Sequence, residues 1–186
     1  KDNKDEPFFL YCPWTPPHAA YQIPEDEPAW KIYKDKPWGK DAKVAAAMDT
    51  MMDRQVGEIT ALLKKLGIYE NTLMFFTSDN GAAKRFDGIH NSCGVMQGHK
   101  RSLNEGGIRV PMVVRWPGKI KPGSVSAHPW YFPDVMPTLA EIADVSKEVP
   151  KDIDGISVLP TLLGKGKQKQ HEYMYWQFGV RAARSG

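Results

Sequence analysis

The chain has 186 residues, and its 25 Lys and Arg against 22 Asp and Glu give a formal charge of +3 at pH 7. A hydrophobic fraction of 41% and a charged fraction of 25% exclude wholesale disorder and indicate one globular domain, or part of a larger one. No stretch reaches the roughly 18 to 20 apolar residues of a membrane span, and the small positive excess, spread along the chain, argues against a nucleic-acid partner.

The two ends and the cysteines add little about the cellular compartment. The sequence begins with Lys1 and shows no leader peptide, so we expect its beginning to have been cut away from a longer protein. Cys12 and Cys93 are too few for a disulfide framework in a chain of this length. We therefore expect two separate, inert thiols.

In the first half of the chain, strand-like and helix-like segments alternate, which is typical of an α/β fold. The apolar run at residues 8–11 predicts a buried strand. Residues 41–66 predict a long helix, because apolar side chains recur every three or four positions and Gly67 follows as a C-terminal stop. The uninterrupted apolar run at residues 72–77 predicts a central strand covered on both faces.

The second half of the chain continues this alternation. Residues 110–116 predict a strand, and Pro111 favours an edge position or a strand start there. Residues 133–143 predict a short helix, and residues 165–170 a solvated turn. Residues 171–178 predict a strand of another sheet, and we expect the chain to stop before that strand could find its partners.

The most informative polar segment is Ser78-Asp79-Asn80-Gly81, directly after the strand at 72–77. In parallel α/β sheets, ligands bind outside the carboxyl ends of the strands. A carboxylate and an amide oxygen are hard ligands that suit Ca²⁺ or Mg²⁺, although two donors cannot complete a calcium shell of about six to eight oxygens. The segment is also a common tight-turn sequence, so a plain turn remains the alternative.

Two further segments could handle an anion. In Thr15-Pro16-Pro17-His18, the prolines stiffen the loop that presents His18, which could donate to an anion or protonate a leaving group. In Gly98-His99-Lys100-Arg101, consecutive basic residues beside a glycine could cradle an oxyanion. Taken alone, each could equally be a solvated surface loop.

The order of these segments is more specific than any one of them. Pro-Pro-His is followed by Ser-Asp-Asn-Gly, then by Gly-His-Lys-Arg-Ser-Leu-Asn-Glu-Gly-Gly-Ile-Arg-Val-Pro at residues 98–111, and then by Trp-Pro-Gly at 116–118. Residues 134–139 (Asp-Val-Met-Pro-Thr-Leu) and 154–157 (Asp-Gly-Ile-Ser) complete the pattern. Over nearly its whole length the chain resembles the sulfatase family, including arylsulfatases and N-acetylgalactosamine-6-sulfatases.

The resemblance implies a sulfuric ester hydrolase on an alkaline-phosphatase-like α/β sandwich. In that family a Cys or Ser becomes formylglycine, whose hydrate attacks sulfur while calcium and basic residues hold the sulfate. By position, Asp79 and Asn80 resemble the calcium ligands, and Lys100 resembles the lysine that bridges the sulfate and the leaving oxygen. His18 resembles the histidine that contacts the sulfate and helps the alcohol depart, and His99 is a candidate substrate contact whose alternative is an exposed polar residue.

The sequence also departs from a complete family member. Neither cysteine begins a Cys/Ser-x-Pro-x-Arg motif, since Pro-Trp-Thr-Pro follows Cys12 and Gly-Val-Met-Gln follows Cys93. The family's upstream aspartate pair and upstream basic residues are missing, and Ala20 replaces a frequent proline. We therefore predict that residues 1–165 are the C-terminal portion of a catalytic domain, that 166–186 begin a small C-terminal subdomain, and that the chain alone is inactive without the remainder of its parent.

Two other functions compete with sulfate-ester hydrolysis. Phosphonate monoester and phosphodiester hydrolases share the superfamily and can use the same formylglycine and metal, but no further His/Asp spacing for a second metal is visible. A non-catalytic remnant that binds sulfated glycans is the second alternative. As substrate we expect a sulfated carbohydrate or an aryl sulfate, and the family's habits imply a periplasmic or secreted location.

Overall fold

The computed structural model describes residues 2–185. Its contacts divide the chain into two compact units, the first made of Lys1–Thr72 and Ala83–Gly94, the second of Leu73–Ala82 and Val95–Gly186. The chain therefore crosses three times from one unit to the other. The predicted boundary between residues 165 and 166 stays a prediction.

The first unit is built on two helices, α1 (Trp30–Tyr33) and α2 (Lys40–Lys65). The long helix predicted at residues 41–66 is confirmed, and Gly67 adopts the predicted left-handed conformation with φ +72°. Small side chains dominate the buried stripe of α2, which consists of Ala42, Val44, Ala45, Ala47, Met48 and Leu63. Among residues 2–185, no helix is both long and apolar enough to cross a membrane.

Residues 83–94 complete the first unit by adding an aromatic cluster. The Phe86 ring lies 5.1 Å from the Tyr21 ring and 5.1 Å from the His90 ring, and His90 in turn lies 5.2 Å from Trp38. Edge-on contacts of this kind contribute about 0.5–1.5 kcal/mol beyond the buried area. The segment contains a short 3₁₀ helix at Lys84–Phe86, and ring contacts and the Arg85–Asp41 ion pair attach it to the rest of the first unit.

The expectation of a buried strand at residues 8–11 is wrong. The four side chains are between 48% and 76% exposed, and the backbone forms no regular element. A strand needs a hydrogen-bonded neighbour, and no strand among residues 2–185 pairs with this segment. Residues 8–11 are apolar, but their side chains are not buried.

The second unit contains the antiparallel strand pair β1 (Met74–Thr77) and β2 (Met112–Arg115). Both predicted strands are confirmed, and β2 begins immediately after Pro111, as proline requires. The expected central strand in a parallel arrangement is wrong for this part of the chain. Within the described residues, β1 has one neighbour, runs antiparallel to it, and is only half-buried.

Between the two strands lies the short helix α3 (Glu105–Ile108), and after them follow α4 (Val135–Ile142) and α5 (Leu159–Leu163). A 3₁₀ turn at Phe132–Asp134 leads into α4, so the predicted helix at residues 133–143 is confirmed. Asp134 and Thr138 are fully buried at this turn and on the helix. The core of the second unit is thus partly polar.

A hairpin ends the second unit. β3 (Tyr173–Phe178) and β4 (Val180–Ser185) pair along their full length, and Gly179 makes the turn with φ +70°. The strand expected at residues 171–178 is confirmed, but the expectation that it lacks a partner is wrong, because residues 180–185 pair with it. The second strand was missed because its basic and small residues, Val-Arg-Ala-Ala-Arg-Ser, carry no apolar alternation.

Candidate functional site

The loop after β1 carries Asp79 and Asn80 out of the sheet. The Ser78 hydroxyl donates to the Asn80 carbonyl at 2.9 Å, which closes the turn locally. At the other end of the turn, the Gly81 N–H donates to the Gly107 carbonyl at 2.9 Å. The turn is therefore formed, as the Asn-Gly pair predicted, and it leaves the Asp79 side chain exposed and the Asn80 side chain half-buried.

Three glycines let this loop touch the segment at residues 97–107 backbone to backbone. A Cβ on Gly81 would lie 1.9 Å from the Gly106 carbonyl oxygen, and a Cβ on Gly106 would lie 2.2 Å from the Gly98 carbonyl oxygen. A Cβ on Gly107 would lie 2.1 Å from the Ser102 carbonyl oxygen. No real side chain fits at such distances. Gly81 therefore sets how close the two loops come, and Gly106 and Gly107 set how tightly residues 97–107 fold on themselves.

The same contact places Lys100 beside the loop after β1. The Lys100 N–H donates to the Ala82 carbonyl at 2.8 Å, and positive φ angles at Gly98 (+85°) and Arg101 (+75°) turn the chain on either side of it. Asp79, Asn80 and Lys100 all line one open cleft in the second unit. The structure therefore brings these three predicted residues together.

The side chains of these three residues are open to a ligand. Within residues 2–185, neither the Asp79 carboxylate, the Asn80 amide nor the Lys100 ammonium has a hydrogen bond or ion pair. A carboxylate and an amide oxygen fit a hard divalent cation. They are only part of a shell, since the described residues contain no group of three or more His, Cys, Asp and Glu that could hold a metal.

Neither of the two predicted histidines lines this cleft. His18 belongs to the first unit, where it is exposed and its Nδ1–H donates to the Ala19 carbonyl at 2.8 Å. That bond leaves Nε2 as the acceptor of the neutral ring. His99 precedes Lys100 but does not line the cleft; its backbone carbonyl accepts a bond of 2.9 Å from the Ser102 N–H. A meeting of His18 with Lys100, and the role of His99, stay predictions.

The cleft concentrates positive charge. Its charged lining comprises six basic and two acidic side chains, an excess of four in a chain whose formal charge is +3. The basic residues, although spread along the sequence, therefore give this cleft a net positive charge. The charged residues of the lining are Asp79, Lys100, Arg101, Glu105, Arg109, Arg115, Lys121 and Arg184.

Sequence reasoning missed one part of this lining. Glu105 forms an ion pair at 3.2 Å with Arg109 over an i, i+4 spacing, a contact that lies within its own loop. The other carboxylate oxygen of Glu105 lies 3.3 Å from the Arg184 guanidinium, which belongs to β4. No spacing signals a contact between residues 79 positions apart.

Comparison with known proteins adds independent information. The family profile described as Sulfatase matches residues 1–145. The chain is 34% identical to rat (Rattus norvegicus) steryl-sulfatase over 183 residues, covering 93% of this chain and 29% of that protein. It is 38% identical to mouse (Mus musculus) N-acetylgalactosamine-6-sulfatase over 182 residues, covering 94% of this chain and 32% of that protein.

A solved structure gives the corresponding likeness in three dimensions. The crystal structure of Ps i-CgsB superimposes with a TM-score of 0.78 at 30% identity, over 91% of this chain and 38% of that one. The same protein has been solved in complex with k-i-k-neocarrahexaose. These likenesses confirm the predicted α/β, alkaline-phosphatase-like fold class, while the chain spans about a third of the length of the curated relatives it matches.

Proposed function

The chain belongs to the sulfatase family, and from that premise we propose that it is the part of a sulfuric ester hydrolase that holds the sulfate of a sulfated carbohydrate or aryl sulfate. The nucleophile, a formylglycine, would be supplied by sequence outside these 186 residues, because no Cys/Ser-x-Pro-x-Arg motif occurs within them. The chain by itself would then be inactive.

One observation carries this proposal. Lys100, Asp79 and Asn80 come from two segments that touch through their backbones, and all three side chains reach the same positively charged cleft without a partner of their own in the described structure. Unpaired groups in such an arrangement are suited to a charged ligand.

In the proposed reaction, Lys100 would donate to the sulfuryl oxygens and stabilise the charge that develops toward the leaving oxygen. His18 would assist departure of the alcohol by donating a proton to the leaving oxygen. Asp79 and Asn80 would hold a divalent cation together with donors from outside the chain, and such a cation, when bound, would offset charge on the sulfuryl oxygens.

A sulfated carbohydrate is the substrate class that the charge of the cleft supports. Sulfated sugars carry several negative charges, and the cleft lining has a basic excess of four. Aromatic residues that commonly pack against sugar rings, among them Trp130 and Trp176, line the same cleft. The structural neighbour Ps i-CgsB, solved with a carrageenan-type hexasaccharide, is consistent with this choice.

The test is an assay of the complete protein that contains this chain, with 4-nitrophenyl sulfate as substrate. We expect turnover, and we expect Lys100→Ala to lower kcat about 10²- to 10³-fold, the usual cost of removing one charge-stabilising donor. Lys119→Ala is the matched control, because Lys119 is exposed and does not line the cleft. Equal activity of the two variants would contradict the role of Lys100.

Two further arms separate the alternatives. The isolated 186-residue chain should hydrolyse no aryl sulfate, so measurable turnover by it would refute the claim that the nucleophile lies outside. A phosphonate monoester, assayed beside the sulfate ester, should be the poorer substrate of the complete protein. The reverse preference would favour the phosphonate hydrolase over the sulfatase.

A further inference from the structure

The C-terminal hairpin is attached to the rest of the second unit at two places of different character. Near its start, His171 Nε2 lies 2.8 Å from the Asp134 carboxylate, and both side chains are buried. On β3, Met174 is 2% exposed, so this side chain packs into the core while its neighbours face outward. The beginning of the hairpin is therefore fixed by burial.

The end of the hairpin is attached by charge. Arg184 on β4 stands opposite Met174 in the strand register, and residues directly opposite in an antiparallel pair share one face. Trp176 and its partner Ala182 lie two positions further on the same face. Arg184 reaches from this face to Glu105 at 3.3 Å.

Glu105 connects the C-terminal hairpin to the segment that carries Lys100. It is the first residue of α3, and Gly106 directly after it makes the closest backbone contacts with Gly81 and Gly98. Its two carboxylate oxygens bind two guanidiniums, Arg109 from its own helix and Arg184 from the hairpin. The carboxylate thus links the hairpin to the segment that carries Lys100.

We propose that Glu105 is a positioning residue, which fixes the end of the hairpin and its Trp176 face relative to Lys100 by holding Arg184. This inference rests on the proposed function, and it assigns the contact to recognition of the carbohydrate that extends from the sulfate ester, not to the chemistry at sulfur. Trp176 and Arg184 line the same cleft as Lys100, so displacing β4 changes the surface that this cleft offers to neighbouring sugar units.

The size of the effect follows from the exposure of the three side chains. Glu105, Arg109 and Arg184 are 42%, 68% and 50% exposed, so solvent screens the ion pairs. Loss of one exposed pair corresponds to a change of roughly two- to fivefold in an equilibrium constant. We expect a change of that size in KM for an extended substrate, with a smaller change in kcat.

The experiment compares Arg184→Gln, Arg184→Lys and Glu105→Gln in the complete protein. Arg181→Gln is the matched control, because Arg181 lies on the same strand but faces the other side and has no ion pair within the described residues. Hydrogen exchange of the peptide covering residues 180–185 reports the attachment of β4 without any need for turnover. KM and kcat are measured with a sulfated carrageenan hexasaccharide and with 4-nitrophenyl sulfate.

Under the proposal, Arg184→Gln and Glu105→Gln speed exchange in residues 180–185 and raise KM for the hexasaccharide more than they lower kcat. Arg184→Lys, which keeps the charge, lies between them and wild type, and Arg181→Gln matches wild type. Exchange in Arg184→Gln that matches wild type would overturn the inference. Faster exchange in a protein that turns over no sulfate ester would support the attachment and overturn the proposed function.

Discussion

Two regions of the second unit are held together by opposite means. The contact between the loop after β1 and residues 97–107 is made by backbone on backbone, with three glycines where no side chain can fit. The start of the C-terminal hairpin is held by buried side chains, with the Asp134 carboxylate bonded to His171 and Met174 packed in the core. The close contact in the first region is possible because glycine has no Cβ. The attachment of the second region requires the buried carboxylate of Asp134.

Asp134 shows how much a single buried carboxylate can organise. One of its oxygens accepts bonds from the Ile156 N–H at 2.7 Å and from His171 at 2.8 Å, and the other accepts from the Tyr131 N–H at 3.0 Å. Thr138 extends the network, since its hydroxyl donates to the Asp134 carbonyl and accepts from the Val158 N–H. Segments far apart in sequence therefore converge on one turn.

The largest effect is expected from Asp134→Ala. It removes the acceptor for two part-buried backbone N–H groups and for the buried His171, and breaking a buried pair of this kind costs about 3–5 kcal/mol. The measurement is urea unfolding followed by circular dichroism. Asp152→Ala, at an exposed position, is the control and should change the unfolding free energy by less than about 0.5 kcal/mol. A loss below about 1 kcal/mol in Asp134→Ala would mean that the hairpin does not depend on this carboxylate.

A smaller effect, at the other region, is expected from Gly106→Ala. The new Cβ would meet the Gly98 carbonyl oxygen at 2.2 Å, and overpacking of this kind costs about 1–3 kcal/mol as the backbone of residues 97–107 shifts to make room. Gly57→Ala is the matched control, because that position in α2 has no atom within 4 Å and should gain about 0.5–1 kcal/mol in helix stability. Equal unfolding midpoints for the two variants would show that the glycine contact is not essential.

The smallest effect is expected on the pH dependence of the unfolding free energy, and it should differ between the two regions. Burial lowers the pKa of His128 below its ordinary value of 6.5, against the attraction of Asp134, which raises it. As pH falls below 6.5, the unfolded chain therefore binds more protons than the folded chain. The free energy of unfolding keeps its full value above pH 6.5 and decreases as pH falls toward the pKa that His128 has in the folded chain.

His128→Asn should therefore make the unfolding free energy less sensitive to acidification between pH 7.5 and 5.5. Unfolding titrations of wild type and variant at the two pH values measure the difference. No titratable side chain takes part in the glycine contacts of Gly81 and Gly107, so Gly107→Ala should leave the pH dependence as in wild type. If His128→Asn shows the same pH dependence as wild type, protonation of His128 does not affect the stability of the protein.

The sequence predicted elements whose signal is local. Helix α2 was readable because its apolar residues repeat every three or four positions and a glycine ends it, and β2 was readable because Pro111 marks its start. Asp79, Asn80 and Lys100 could be grouped because each belongs to a short motif. The exposure of residues 8–11 could not be read, because an apolar run does not show whether a neighbouring strand exists to cover it.

Contacts that a single side chain makes with residues far away in sequence could not be predicted. The carboxylate of Asp134 joins residues 22 and 37 positions away, and Glu105 joins one 79 positions away. Such pairs leave no periodicity, since only the fold brings them together. The concentration of charge in the cleft has the same origin, because it arises from folding an evenly distributed set of basic residues.

The three crossings of the chain between its units have a consequence for biosynthesis. The first 72 residues do not contain the rings of Phe86 and His90, which complete the aromatic cluster of the first unit. By the time residue 94 has left the ribosome, the first strand of the second unit has already been made. The two units are thus interleaved in the order of translation, and no single cut of the chain would release either of them whole.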